Sequence, residues 1–275
     1  MQFIEISFFI FFLLFLINHL IKSNNFLLDN KRSSSHKIFI DKNSKPPFSG
    51  GILILLSLLI LIPNSEINFK IIIFLVFMTG FLSDINILRS ANLRFIIQII
   101  LVIFSIIILE IYIKNIRVSF LDIFLINFYF NVFFTSFCVL VLINGTNFID
   151  GLNTLVVGYY LLIIFAISSF YSENDIFILD YKMIIYFSII LLTIAILNGL
   201  NLLYLGDNGA YLLSFFIAIL LIDLASNFKA LSPYYIVNLL WYPAYENLFS
   251  IIRKIKSKKS PLKPDNLHLH QLIFL

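Results

Sequence analysis

Long apolar runs alternate along the chain with short polar inserts. Nine runs approach the roughly 20 apolar residues that a bilayer-spanning helix needs. They are 3–21, 48–62, 69–83, 93–113, 120–143, 153–171, 182–198, 209–226 and 233–250. The second and third are short and are expected to extend or tilt. The longest polar insert, 22–47, leaves no room for a soluble domain, and no internal repeat is visible. The pattern predicts an all-α, polytopic membrane helix bundle with about nine spans, built as a single domain over 1–275. The first run is longer than a signal-peptide core and lacks a basic start or a small-residue cleavage site, so a retained helix is expected there.

Composition agrees with this pattern. Hydrophobic residues make up 60% of the 275 and charged residues 12%, against about 25% charged in a soluble domain. The mean hydropathy is +0.99. The single cysteine, Cys138, lies in an apolar run, which excludes a disulfide and a cysteine metal cluster. Charge sets the orientation. Alternate loops carry fourteen of the 19 basic residues: six in 22–45, then Arg89 and Arg94, then six in 253–263. By the positive-inside rule these loops face the cytoplasm and the N-terminus faces outward. A site built from those loops is expected on the cytoplasmic face of the membrane.

Five polar inserts then fall on that face: KPPFSGG (45–51), GFLSDINILRSANLR (80–94), NGTNFIDGLNTL (144–155), YLGDNGAYL (204–212) and KPDNLHLHQ (263–271). Polar groups at membrane depth are costly, so they mark function by default. Asp84, Asp150 and Asp207 each sit at the cytoplasmic end of an apolar run, Asp84 closing a helix and the other two in short loops. Three carboxylates on one rim repel each other unless a cation neutralises them. Magnesium is the natural candidate, with hard oxygen ligands, few carboxylates and substrate phosphates. Asn147 could add a carbonyl oxygen. The structural alternative is that each Asp caps a helix N-terminus, which Asp207 fits well.

Glycines at 50, 51, 145, 151, 206 and 209 suit tight turns and close approach of backbone to a ligand. His268 and His270 stand two apart and do not share a helix face; further zinc ligands are missing, and phosphate contact suits them better. Residues 254–263 form a basic, topology-setting cluster. Glu246 interrupts the last apolar run close to Pro243, and pairing with Arg253 is expected for it.

In this order, the inserts resemble the polyprenyl-phosphate N-acetylhexosamine-1-phosphate transferase superfamily, glycosyltransferase family 4. FIDGLN within 144–155 is similar to its Asn-x-x-Asn-x-x-Asp-Gly block, YLGDNGAYLL to its Gly-Asp-x-Gly block, HLHQLIF to its His-rich loop and PPFSGG to its Pro…Gly-Gly loop. GFLSDINILRSANLRFIIQ resembles its paired-aspartate block with a following Arg and Gln.

The resemblance implies a Mg2+-dependent enzyme that transfers a sugar 1-phosphate from a UDP-N-acetylhexosamine to undecaprenyl or another polyprenyl phosphate, releasing UMP. The product would start a lipid-linked cell-envelope glycan such as peptidoglycan or lipopolysaccharide. It implies Asp207 as chief magnesium ligand with Asn147 second, and Asp84 orienting or deprotonating the lipid phosphate. Asp150, Asn144 and Asn153 would line the nucleotide pocket, and His268 and His270 would contact the diphosphate or sugar. The bilayer and a second copy in a homodimer are the other expected partners; nucleic acid is not among them.

This chain departs from the family pattern at three points. Ser83 stands where the first paired aspartate is expected, Asn92 stands where a basic residue is expected, and the family continues through one or two helices after the His loop. The last point implies ten or eleven spans for a full-length member and a truncated C-terminus here. Two alternatives follow: an inactive homologue, or a transporter or scaffold that binds an anionic or lipid-linked substrate without chemistry.

Overall fold

Every expected apolar run contains helix. The computed structural model describes residues 2–24, 27–28, 46–170, 179–228, 230–258 and 267–274. Expectations for Lys45, Lys263 and the other positions between these ranges lie outside the described residues. Twelve helices are described: α1 (Gln2–Ser23), α2 (Gly50–Leu61), α3 (Ile67–Asp84), α4 (Ala91–Leu109), α5 (Ser119–Leu125), α6 (Phe128–Ile149), α7 (Leu155–Ser168), α8 (Tyr181–Gly199), α9 (Gly206–Asn227), α10 (Pro233–Leu239), α11 (Trp241–Lys256) and α12 (Leu269–Phe274). Among the described residues there is no strand, only an isolated bridge between Leu28 and Pro47. Six helices (α1, α3, α4, α6, α8 and α9) are long and apolar enough to cross a membrane, and α2 and α7 are shorter apolar helices. The fold is an all-α polytopic membrane bundle.

Local chemistry starts several of these helices. Ser90 accepts a hydrogen bond from the Leu93 N–H (3.3 Å), Asn127 from Phe130 (3.1 Å) and Asp180 from Met183 (2.8 Å). Each side chain takes up one of the donors that a helix start leaves without an internal partner.

Helix α9 is the hub. It packs against α2, α3 and α6, and nearly every side chain from Asn208 to Leu221 is buried. A helix apolar all round belongs in the middle of a bundle. Phe216 shows the packing: its ring stacks on Phe69 of α3 (6.1 Å) and meets Phe187 of α8 edge-on (5.1 Å). The peripheral helix α4 instead leaves Ile96, Ile100, Phe104 and Ile107 exposed, as a lipid-facing stripe requires.

Three sequence expectations change. The run 120–143 is not one span but the short α5 followed by α6, with Ile126 and Asn127 between them. The run 233–250 likewise breaks at Leu240 into α10 and α11. Pro243 has no N–H to donate to the carbonyl four residues back, that of Leu239. The Tyr159 hydroxyl donates to that carbonyl instead (2.5 Å). The block 144–149 is the end of α6 and not a loop. Asn144 and Asn147, three apart, therefore share one helix face.

Helix α11 is polar on its buried face and apolar outside. Glu246, Asn247, Ser250 and Lys254 are buried, while Tyr245, Leu248, Phe249, Ile252 and Ile255 are exposed. Its buried face lies on α6, where Asn247 donates to the Val141 carbonyl (3.0 Å). The close approach needs Gly145, because a Cβ there would stand 2.0 Å from the Pro243 carbonyl oxygen.

Gly145→Ala is expected to cost about 1–3 kcal/mol through overpacking, read as a lower Tm in detergent. Gly158→Ala is the control, because no atom lies within 4 Å of a Cβ built there; its Tm should hold or rise slightly.

Candidate active site

Helix α9 begins with no capping side chain of its own, since its N-cap is Leu205. The cap comes from α3. One oxygen of Asp84 accepts the Asp207 N–H and the other accepts the Asn208 N–H, both at 3.0 Å. The capping role that the sequence suggested for Asp207 thus falls to Asp84, across two helices. Gly206 makes room for it. Its φ of +74° is a left-handed value, and a Cβ there would lie 2.8 Å from an Asp84 oxygen.

Asp207 is left to point its carboxylate into the end of the bundle. Oδ2 accepts from the Ser83 hydroxyl (2.5 Å) and the Arg94 guanidinium (2.7 Å), and Oδ1 accepts from the Asn147 amide (2.8 Å). Arg94 also donates to Ser83 (2.5 Å). Ser83, at the paired-aspartate position, is therefore a hydroxyl bridge between a cation and a carboxylate. Asp207 and, more weakly, Asp150 lie near enough to Asp84 to repel its charge. Three helices and one cap thus bring the three predicted acids together.

The other asparagines have separate tasks. Asn144 returns its amide to the Leu140 carbonyl within α6 (2.9 Å). Asp150 is the C-cap of α6. Asn153 donates to Asn201 (2.6 Å), and Asn198 accepts the Thr154 N–H (2.5 Å) while donating to the Leu203 carbonyl (2.9 Å). These bonds pin the turn after Asp150 to the connection that leads into α9. The PPFSG loop joins the same place: Tyr204 N–H donates to Pro47 (2.8 Å) and Gly50 N–H to Tyr204 (3.0 Å).

The two histidines dock beside this cluster. His268 gives its Nδ1 to Glu246 (2.9 Å), and the Leu269 N–H donates to the other oxygen of Glu246 (2.7 Å). His268 stacks on Phe148 (5.1 Å) and on His270 (5.9 Å). Lys254 lies over the same Phe148 ring (5.3 Å). His270 Nδ1 meets the Tyr242 hydroxyl (3.3 Å). Its Nε2 is buried without a hydrogen-bond partner among the described residues, and it faces Gly151, whose Cβ would stand 2.6 Å away. The expected Glu246–Arg253 pair is replaced by Glu246–His268, and Arg253 donates to the Leu267 carbonyl.

Burial, followed by the neighbouring His268, pushes the His270 imidazole down to about 4, only partly offset by Glu246. Burial alone would raise the Glu246 carboxyl. The hydrogen bonds from His268 and Leu269 outweigh it and hold the group below its ordinary value.

Three contributors show no role in the sequence alone: Arg94 is a cation just inside an apolar run, and Asn198 and Asn201 lie at the end of α8. The space that glycines leave is filled by the protein itself: Gly50, Gly51, Gly145 and Gly209, and also Gly80, lie against backbone or side chains of other elements of the bundle. Close helix contact in membranes favours small residues for this reason.

The donor set suits a hard divalent cation. Asp207 and Asn147 offer oxygen, with Ser83 beside them. Among the described residues no three of His, Cys, Asp and Glu converge on a metal position. Magnesium does not require such a cluster, since it takes one or two protein carboxylates and completes its shell from phosphates and water.

The class is a multi-pass membrane helix bundle with a carboxylate, guanidinium and amide cluster at one end of its helices. Residues 67–225 match the model of glycosyl transferase family 4, more than half of the chain, and the chain belongs to that family. It is also 27% identical over 149 residues to undecaprenyl-phosphate alpha-N-acetylglucosaminyl 1-phosphate transferase of Escherichia coli (strain K12), and equally to the protein of that name from Shigella flexneri. These matches cover 52% of this chain and 41% of each relative, so the chain matches less than half the length of these curated relatives.

Acid should loosen the histidine dock. Unfolded His270 takes its proton near 6.5, and folded His270 near 4. Between those values the unfolded chain binds more protons, so stability falls as pH drops from about 6.5 to about 4. Glu246, stabilised as a carboxylate, adds loss in the same direction further into acid. Tm should fall over that window, and His270→Gln, which cannot titrate, should flatten the upper part of the slope.

Proposed function

We propose that this chain transfers a sugar 1-phosphate from a UDP-sugar, of the UDP-N-acetylhexosamine type, to a polyprenyl phosphate. The observation that carries the reading is Asp207 itself. It sits at the capped start of the buried hub helix, with Ser83, Arg94 and Asn147 converging on its carboxylate. Family membership supports the same reaction class.

In the reaction an oxygen of the lipid phosphate attacks the β-phosphorus of the UDP-sugar. The bond from the β-phosphorus to the bridging oxygen breaks, and UMP leaves with that oxygen. Phosphoryl transfer of this kind is governed by positioning and charge stabilisation. Arg94 supplies a fixed positive charge beside the diphosphate site. Asp84 keeps the start of α9 in place and sets where Asp207 stands. Asp150, Asn144 and Asn153 lie on the α6 side, where the nucleotide would bind, and His268 and His270 close that side. Asp207 and Asn147 are the residues to hold Mg2+, which when bound would spread the charge of the diphosphate. The active face would be cytoplasmic, in the inner membrane of a bacterium, with the lipid entering sideways from the bilayer. A homodimer is the expected assembly.

A second reading, a homologue that binds without turnover, is favoured by Ser83 in place of a carboxylate. One experiment separates the two. Purified protein is given UDP-N-acetylglucosamine, undecaprenyl phosphate and Mg2+, and UMP release is followed. Release that needs all three components supports the transferase. Asp207→Ala should lower it on the order of 100-fold or more, the scale for losing a main electrostatic group. Unchanged release in that variant would remove the metal assignment. Binding of the UDP-sugar without UMP release, with release gained in Ser83→Asp, would support the second reading.

A further inference from the structure

Asp207 carries the reading above, yet its charge is already offset inside the protein. An ionised carboxylate offers about four lone-pair positions. Ser83 and Arg94 take those on Oδ2, and the Asn147 amide takes one on Oδ1. Arg94 stands 2.7 Å from Oδ2, and each of the two side chains is only 26% exposed, so water and salt screen the pair weakly. Ser83 adds a hydroxyl and no charge. The nearby Asp84 gives both oxygens to the backbone of α9. Arg94 also lies close to the start of α4, where the helix dipole disfavours a cation, so its position serves Asp207 and not its own helix. A divalent cation that arrives alone at Asp207 therefore meets a positive charge in direct contact with its ligand.

The same guanidinium has a second edge. Among the described residues it bonds only through Nη1, to Ser83 and Asp207. Its donors on Nε and Nη2 form the fork that matches two oxygens of a phosphate.

We propose that Arg94 makes Mg2+ binding at Asp207 conditional on the diphosphate. Alone, the guanidinium opposes the cation. A diphosphate held on Nε and Nη2 brings the negative charge that admits it, and cation and sugar nucleotide enter together. The inference rests on the metal assignment made above for Asp207 and Asn147.

Mn2+, which takes the same oxygen ligands, is the probe. Full-length protein in detergent is dialysed to equilibrium against radioactive Mn2+, with and without UDP-N-acetylglucosamine and in the absence of lipid phosphate. The excess of Mn2+ on the protein side measures binding. The wild type should bind Mn2+ weakly alone and about 10-fold or more tightly with the sugar nucleotide. Arg94→Gln should bind Mn2+ alone about 10-fold or more tightly than the wild type, and the sugar nucleotide should then add much less. Arg94→Lys keeps the charge and should resemble the wild type in Mn2+ binding without nucleotide. Ser83→Asp, which adds a negative charge beside the guanidinium, should also bind Mn2+ without nucleotide, and it carries the test if gel filtration shows Arg94→Gln to be misfolded. Asp207→Asn in the Arg94→Gln background should abolish the gain. Wild-type protein that binds Mn2+ alone as tightly as Arg94→Gln would overturn the proposal. So would a gain that survives Asp207→Asn, or a wild type that takes up no more Mn2+ with the sugar nucleotide than without it. UMP release judges the transferase reading separately: conditional Mn2+ binding with no UMP released after lipid phosphate is added would end that reading and leave this inference in place.

Discussion

The structure depends on one borrowed cap. A helix buried on all sides has no water at its start to receive its first N–H groups, and each such group left unpaired costs about 1–3 kcal/mol. α9 supplies no side chain for the purpose. Asp84, the last residue of α3, gives both oxygens to it. The charge of the carboxylate suits the positive end of the helix dipole. Once Asp84 is committed there, the next carboxylate, Asp207, is placed outside the cap and is free to work with Arg94, Ser83 and Asn147. Two acids that look equivalent in sequence thus hold different groups, one the backbone of α9 and the other the side chains of Ser83, Arg94 and Asn147.

The rest of the end of the bundle follows from keeping polar groups in pairs. Arg94 offsets Asp207, Glu246 offsets His268, and the asparagines at 153, 198 and 201 close the loops on one another. Small residues let the backbones come close enough for these bonds to form. The ring of Phe148 links two of the clusters, since the helix turn that carries it also carries Asn147. The two acids at the cap are therefore each held in place by protein groups. One is spent on the backbone and another is already partnered by a guanidinium.

Much of this could be read from the chain. Each of the nine apolar runs holds helix, because a membrane leaves few other solutions for a long apolar segment. The polar inserts named the three acids, the asparagines and the two histidines. What the runs could not reveal is where a helix continues through polar residues. The segment 144–149 stays helical because its asparagines bond within the helix or to Asp207, which no periodicity displays. The break at Leu240 could be suspected from Pro243, but the Tyr159 hydroxyl that stabilises it comes from a distant helix. The partner of Glu246 was missed for the same reason. Arg253 is seven residues away in sequence and His268 is twenty-two, and proximity along the chain misled.

The cap also has a consequence for how the molecule is made. α9 follows α2, α3 and α6 in the chain, yet it stands among them. Apolar walls offer an apolar helix little that fixes its position along its own axis. Asp84 supplies the stop. A slip of one residue along the axis would break both of its bonds at once, so a single side chain sets the depth of the most enclosed of the described spans.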